Sequence, residues 1–299
     1  MSRRHWVMLL ALAALWGASF MFIKIGDREL DPITLVGFRM ALGALTLVPI
    51  VLATVGARRT VQELRAAAGP LIVTGLINSA IPILAITWAE TRIDSGLTAI
   101  IQASAPLFTA LLALRFSHDE RVRGSRLAGL VVGFAGVALL VGGRPSGQLA
   151  AALAVVFSAV CYAAAGLYAG RRLRDVSPLV TSLGALTAAT LATLPIGLFE
   201  LPSHVTGWKV TASMLTLGIA GTGIAYILYY ELIAGAGASR AILITYLVPT
   251  FALVYGAVLL GEPVTAAAVA GLALVLLGVG LGTGAVRAGR PRRLASTET

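Results

Sequence analysis

The sequence predicts an all-α integral membrane protein, with ten transmembrane helices in two inverted-topology five-helix repeats around a central cavity. Three observations predict it. Hydrophobic residues make up 58% of the 299 residues and charged residues 12%, about half the charge of an ordinary soluble domain. The apolar residues fall into ten runs of membrane length, at about 20 residues per crossing. The punctuation of residues 75–137 returns about 143 positions later. Five crossings per half is an odd number, so the second copy enters the membrane from the opposite face.

The runs, in order, are 6–26, 33–55, 70–89, 95–116, 125–143, 148–170, 179–199, 208–230, 239–260 and 264–284. The first follows Arg3-Arg4, as a signal peptide would. It exceeds a typical signal core and its loss would break the repeat, so it reads as the first span. The repeat is carried by matched residues. Gly75-Leu76-Ile77 matches Gly218-Ile219-Ala220, and Pro106-Leu107-Phe108 matches Pro249-Thr250-Phe251. Glu120 matches Glu262, and Ala128-Gly129-Leu130 and Gly136-Val137 match Ala270-Gly271-Leu272 and Gly278-Val279. Pro32 and Pro49 match Pro178 and Pro195, and Trp16 falls opposite Tyr162. The halves are therefore placed at 1–146 and 147–286, with 287–299 as a disordered cytoplasmic tail.

The net charge of +10 is an orientation signal rather than a nucleic-acid footprint. Of 23 Lys and Arg, 17 lie at the termini and in alternate connections, and the other connections hold 5. The positive-inside rule then puts both termini in the cytoplasm of a multi-pass plasma (inner) membrane protein. The lipid bilayer and a small-molecule substrate are the expected partners. Cys161 is the single cysteine, which excludes an intramolecular disulfide and a multi-cysteine metal site. No residue pattern calls for a cofactor. The three histidines, His5, His118 and His204, fall in a tail or loops, and no carboxylate pair lies at depth, which argues against an intramembrane enzyme.

Leu15-Trp16-Gly17-Ala18-Ser19-Phe20 resembles the W-G-x-x-F signature of the EamA family, in the drug/metabolite transporter superfamily. Phe38-Arg39, Ala105-Pro106-Leu107-Phe108 with Glu120, and Val248-Pro249-Thr250-Phe251 with Gly261-Glu262 resemble that family's motifs in the same order. His118-Asp119 departs from it, standing where the family often has a glycine. The resemblance covers nearly the whole chain and implies ten helices around a cavity open to one side at a time. Within the family it points to the amino-acid exporters. Inverted repeats by themselves point to alternating access, with the substrate near the midplane.

Helical spacing gathers polar residues on shared faces. Thr222, Tyr226, Tyr229 and Tyr230 form one stripe, and Ser95, Thr98, Gln102, Pro106 and Thr109 another. Trp16 and Ser19, Asn78 and Ser79, Tyr162, and Tyr246 add to them. The substrate-binding set is Trp16, Ser19, Asn78, Ser79, Gln102, Tyr162, Thr222, Tyr226 and Tyr246. Tyr229 and Tyr230 lie near a span end, where aromatic belts form. Pro106 and Pro249 occupy matched places and are read as hinges or as static bends. Arg39 is the one basic residue well inside a span, roughly 9 Å deep at 1.5 Å per residue. It can snorkel toward Asp27, Glu29 or Asp31, form a structural ion pair, or bind a carboxylate. No acidic residue lies at mid-membrane, which disfavours organic dications, and Glu231 is the first end-of-span carboxylate to consider for proton coupling. Export of drugs or cationic compounds is the alternative to amino-acid export.

Overall fold

The computed structural model describes residues 1–116, 125–142, 145–241 and 243–282; Glu120 and the tail 287–299 lie outside them. Among the described residues there is no strand. The main elements are α1 (Arg3–Gly26), α2 (Pro32–Thr54), α3 (Ala57–Ala66), α4 (Ala68–Glu90), α5 (Ser95–Ala113), α6 (Leu127–Val141), α7 (Ser146–Arg172), α8 (Pro178–Phe199), α9 (Trp208–Ala236), α10 (Ile244–Leu260) and α11 (Ala266–Gly282). Seven of them, α1, α2, α4, α5, α7, α8 and α9, are long and apolar enough to cross a membrane, while α6, α10 and α11 are shorter apolar helices.

Helix ends follow local chemistry. The Asp31 carboxylate accepts from Ile33 N at 3.0 Å and Pro32 opens α2, a capping residue followed by a helix-ready proline. Pro178 likewise opens α8, after Ser177, whose side chain donates to Glu63 instead of capping the helix. Gly237 ends α9 at φ +87°, a left-handed-side conformation that glycine adopts without strain. The amphipathic α3 was not foreseen, because its ten residues are too polar and too short for a span.

Two spans depart from continuous helix. α5 breaks at Ala103–Ser104, where Ser104 N donates to Ile101 O at 3.1 Å and Leu107 N to Ser104 O at 2.8 Å. The expected ninth run, 239–260, is divided: a four-residue helix over Ala238–Ala241 ends before α10 opens at Ile244. Before it, Leu243 N bonds Arg240 O at 3.1 Å, a tighter i to i−3 turn.

Pairing is reciprocal between the chain's halves. α2 packs on α8 and α6 on α11, while α4 and α5 pack on α7, and α9 and α10 pack on α1. Thr34 Oγ1 donates to Gly197 O at 2.9 Å across the α2–α8 contact. Large aliphatic side chains point outward in mid-helix, among them Leu45, Val131, Leu191 and Leu277. A ring of such residues suits hydrocarbon rather than water. Since lipid is as apolar as leucine, close packing and hydrogen bonds hold the helices together.

Candidate functional site: a central polar cavity

A cavity of about 570 Å³ lies between the helices. Trp16 and Ser19 come from α1, Arg39 from α2, Asn78 and Ser79 from α4, and Gln102 and Pro106 from α5. Tyr162 comes from α7, Thr222 and Tyr226 from α9, and Pro249 from α10. Eight of the nine expected binding residues thus line one space, as do both prolines and Arg39. Tyr246 is not among the lining residues; its ring packs against the apolar cluster that holds Leu140 and Val275. Glu231 lies outside the cavity, on the surface, in an exposed ion pair with Arg4 at 2.7 Å. No lining residue comes from α6 or α11.

The backbone helps to shape the walls. α4 widens into a π-helical turn at Leu76–Ala80, and α9 does so at Ile219–Ile224. These turns follow Gly75 and Gly218, the glycines matched in sequence. They carry Asn78 and Ser79 in one helix and Gly221 and Thr222 in the other, all facing the cavity. π-turns recur at functional sites because they re-aim side chains. Both glycines are needed for close approach. A Cβ at Gly75 would meet Ala185 O at 2.4 Å, and one at Gly218 would meet Leu42 Cβ at 2.4 Å. Pro106 and Pro249 lack the N–H that would bond the carbonyl four residues back. Those carbonyls belong to Gln102 and Thr245, which both line the cavity.

Aromatic rings form a wall on α9. Trp16 meets Tyr229 with centroids 5.4 Å apart, Tyr226 and Tyr230 stack at 6.3 Å, and Tyr230 OH lies 2.9 Å from Ser182 Oγ. Tyr229, Tyr230, Thr181 and Ser182 therefore join the lining, beyond the expected set. The Tyr226 hydroxyl lies against Asn78 and Ser79.

Arg39 is 8% exposed. Its Nε donates to Thr222 Oγ1 at 3.1 Å, and Thr222 Oγ1 donates in turn to Leu217 O at 2.9 Å. The guanidinium faces the Tyr162 and Tyr226 hydroxyls. Among the described residues no carboxylate lies within ion-pair distance of it, so neither snorkelling to Asp27, Glu29 or Asp31 nor a structural pair is seen. The cavity thus carries one fixed positive charge and no lining carboxylate.

The cavity is open at one end. At the end shared by Arg4 and Glu231, the lining residues Gly166, Ala169, Thr181 and Tyr230 are partly or fully exposed. At the other end Ile23, Ile86 and Ala99 are 2%, 5% and 2% exposed. That closed end is tied across the chain halves. Glu262 accepts from Ser95 N at 2.9 Å, Ser95 Oγ at 2.8 Å and Gly96 N at 3.1 Å, at the start of α5. Glu29 accepts from Gly207 N at 2.7 Å, and within the first half Lys24 Nζ donates to Glu90 O and Ile93 O. At the open end Glu63 accepts from Ser177 N and Oγ and from Arg59. Burial works against its ionisation, but these donors hold the carboxyl below the usual range.

Glu262 makes a direct prediction. Glu262→Ala leaves two backbone N–H groups at a helix start without their charged acceptor. It is expected to cost about 1.5–3 kcal/mol, the range for hydrogen bonds to charged groups. Ser95→Ala should cost less, because both backbone donors keep their carboxylate. Thermal unfolding of the two purified variants checks the order.

These features define a helical membrane protein with a largely apolar cavity that carries a few polar groups and is reachable from one end. The EamA-like transporter family model matches the chain twice, over residues 4–142 and 149–283, and the chain belongs to that family. It is 27% identical over 277 residues to an uncharacterized transporter of Archaeoglobus fulgidus, covering 92% of this chain and 97% of that protein. It is 29% identical over 289 residues to a probable terminal-alkyne amino-acid exporter of Streptantibioticus cattleyicolor, covering 93% of each. A probable amino-acid metabolite efflux pump of Salmonella typhimurium is 27% identical over 316 residues, covering 99% of this chain and 100% of that protein. A crystal structure with 20% identity, matching 97% of this chain and 100% of its own, shares the fold with a TM-score of 0.69.

Proposed function

We propose that this protein exports amino acids and related small carboxylate-bearing metabolites across the inner membrane by alternating access. The carrying observation is Arg39, a buried guanidinium in the cavity wall with no carboxylate at ion-pair distance among the described residues. A central arginine costs about 2.5–3.5 kcal/mol to insert, and a substrate carboxylate is the natural group to offset that cost. Asn78, Gln102 and the tyrosine hydroxyls supply neutral donors and acceptors for the rest of a zwitterion. The Trp16–Tyr229–Tyr230 wall offers a flat apolar surface on which aromatic side chains can lie. The names of the Streptantibioticus and Salmonella relatives support the same substrate class.

In this reading the chain forms ten spans in two five-span halves, 1–146 and 147–286, inverted with respect to each other. The reciprocal helix pairing and the π-turns at matched positions support it. Both termini are cytoplasmic by the charge distribution, so the open end faces the cytoplasm and the closed end faces outward. Rocking of one half against the other exchanges the two, with Pro106 and Pro249 as the bending points.

The test is counterflow in liposomes, with a panel of radiolabelled amino acids beside a lipophilic cation. Saturable amino-acid exchange is the expected result. Exchange of the cation with silence for every amino acid would overturn the reading in favour of a drug exporter. The positively charged cavity argues against that outcome.

A further inference from the structure

The cavity's closed end contains an acidic residue that no mechanism above uses. Glu90, the last residue of α4, is 0% exposed, and neither carboxylate oxygen has a hydrogen-bond partner among the described residues. The charged groups that act on it are Asp27 and Lys24 from the end of α1, Glu262 from the connection after α10, and Arg39 from α2. Lys24 spends its bonds on the backbone carbonyls of Glu90 and Ile93 rather than on the Glu90 carboxylate. Glu262 is already satisfied by Ser95 and Gly96. Asp27 has one buried carboxylate oxygen, also without a partner.

We infer that Glu90, with Asp27 beside it, is a proton-binding site: it carries a proton while this end of the cavity is closed and releases it to water when the end opens. The argument is one of unmet solvation. A bare carboxylate with no donor on either oxygen is costly to bury. Two carboxyls acting on each other, one fully and one partly buried, are costlier still when both are charged. A proton on a Glu90 oxygen removes that charge, and opening the end restores water to it. Asp27, outside the helix, points the same way. Burial pushes its carboxyl up to about 6, against the pull of Lys24 and Arg28. The sign follows. The closed form binds protons more tightly than the opened one, so acid on this side favours closure and rising pH favours opening. Ile86, one turn from Glu90, lines the cavity, so the site adjoins the substrate space. The inference rests on the carrier reading for its consequence, but the site itself can be tested without transport.

Infrared spectroscopy of the purified protein reads protonated carboxyl groups directly. A carboxylic-acid C=O band present near pH 7 and missing in Glu90→Gln is expected; an identical band in both overturns the site. Counterflow of an amino acid with an apolar side chain, whose charge is constant from about pH 5 to 8, then reads the consequence. Exchange is expected to rise several-fold across that range in the wild type and to lose the dependence in Glu90→Gln, with Asp27→Asn shifting the midpoint downward. An unaltered pH profile in Glu90→Gln also overturns the proposal. Absence of counterflow at every pH would count against the carrier reading and leave the infrared result to decide the site.

Discussion

Arg39→Gln is expected to reduce amino-acid exchange by roughly a hundred-fold or more while leaving the protein folded. Removing one partner of a desolvated, hydrogen-bonded charge pair costs about 2–5 kcal/mol, and each 1.4 kcal/mol is a factor of ten. The fold should not suffer in proportion, because the variant also removes the cost of inserting a central arginine. What it loses structurally is one hydrogen bond, from Nε to Thr222. Thr222 keeps its bond to Leu217 O. Arg39→Lys separates charge from shape. Lysine keeps the charge but cannot hold Thr222 and still present a planar fork to a carboxylate, so about ten-fold loss is expected. Exchange rates in liposomes, read beside thermal unfolding of the same preparations, check both. Wild-type exchange in Arg39→Gln would sink the proposed carboxylate site, and uptake of a neutral analogue that survives the change would strengthen it.

Much of this site was legible because polar residues inside apolar runs are expensive and so conspicuous. Asn78, Gln102 and Arg39 stood out on that ground, and helical spacing aligned Thr222 with Tyr226. The partner of Arg39 was not legible. Its neighbours in sequence offered Asp27, Glu29 and Asp31, whereas the structure supplies Thr222, 183 residues away, on a π-turn that spacing arguments do not anticipate. Tyr246 was expected to share the cavity with the polar residues of the other spans. A short helix over Ala238–Ala241 and a tighter turn at Leu243 come before α10, so helical phase does not carry across that stretch. Tyr229 and Tyr230 sat at the expected end of their span and looked like belt residues. α9 runs on to Ala236, which brings them more than a turn inside. Ser182 gave little signal, since serine in a helix can bond its own backbone. The burial of Glu90 depends on the packing of α4 against α7 and α1, which a single span does not display.

Gly278→Ala is expected to be among the most damaging small changes to stability while leaving substrate affinity nearly intact. Glycines recur at matched places in the fifth and tenth runs, and the structure shows what they face. A Cβ at Gly278 would lie 2.3 Å from Gly133 Cα, 2.4 Å from Gly133 N and 2.7 Å from Gly129 O. All three are backbone atoms, so no side-chain rotation relieves the clash, and α6 and α11 must move apart. The contact is reciprocal, because a Cβ at Gly129 would meet Gly282 N at 2.3 Å. Overpacking in a close-packed interior costs typically about 1–3 kcal/mol, and backbone-on-backbone contact puts this case at the upper end or above. In hydrocarbon no hydrophobic force compensates, since separated helices are covered by lipid as apolar as themselves. Gly69→Ala is the control: a Cβ there meets nothing within 4 Å, and its stability should hold or rise slightly. Thermal unfolding of both variants measures the difference. Because α6 and α11 contribute no cavity wall, whatever folded Gly278→Ala protein remains should exchange substrate at wild-type half-saturation. A changed half-saturation would mean that this helix pair sets the geometry of the cavity as well as holding the bundle together.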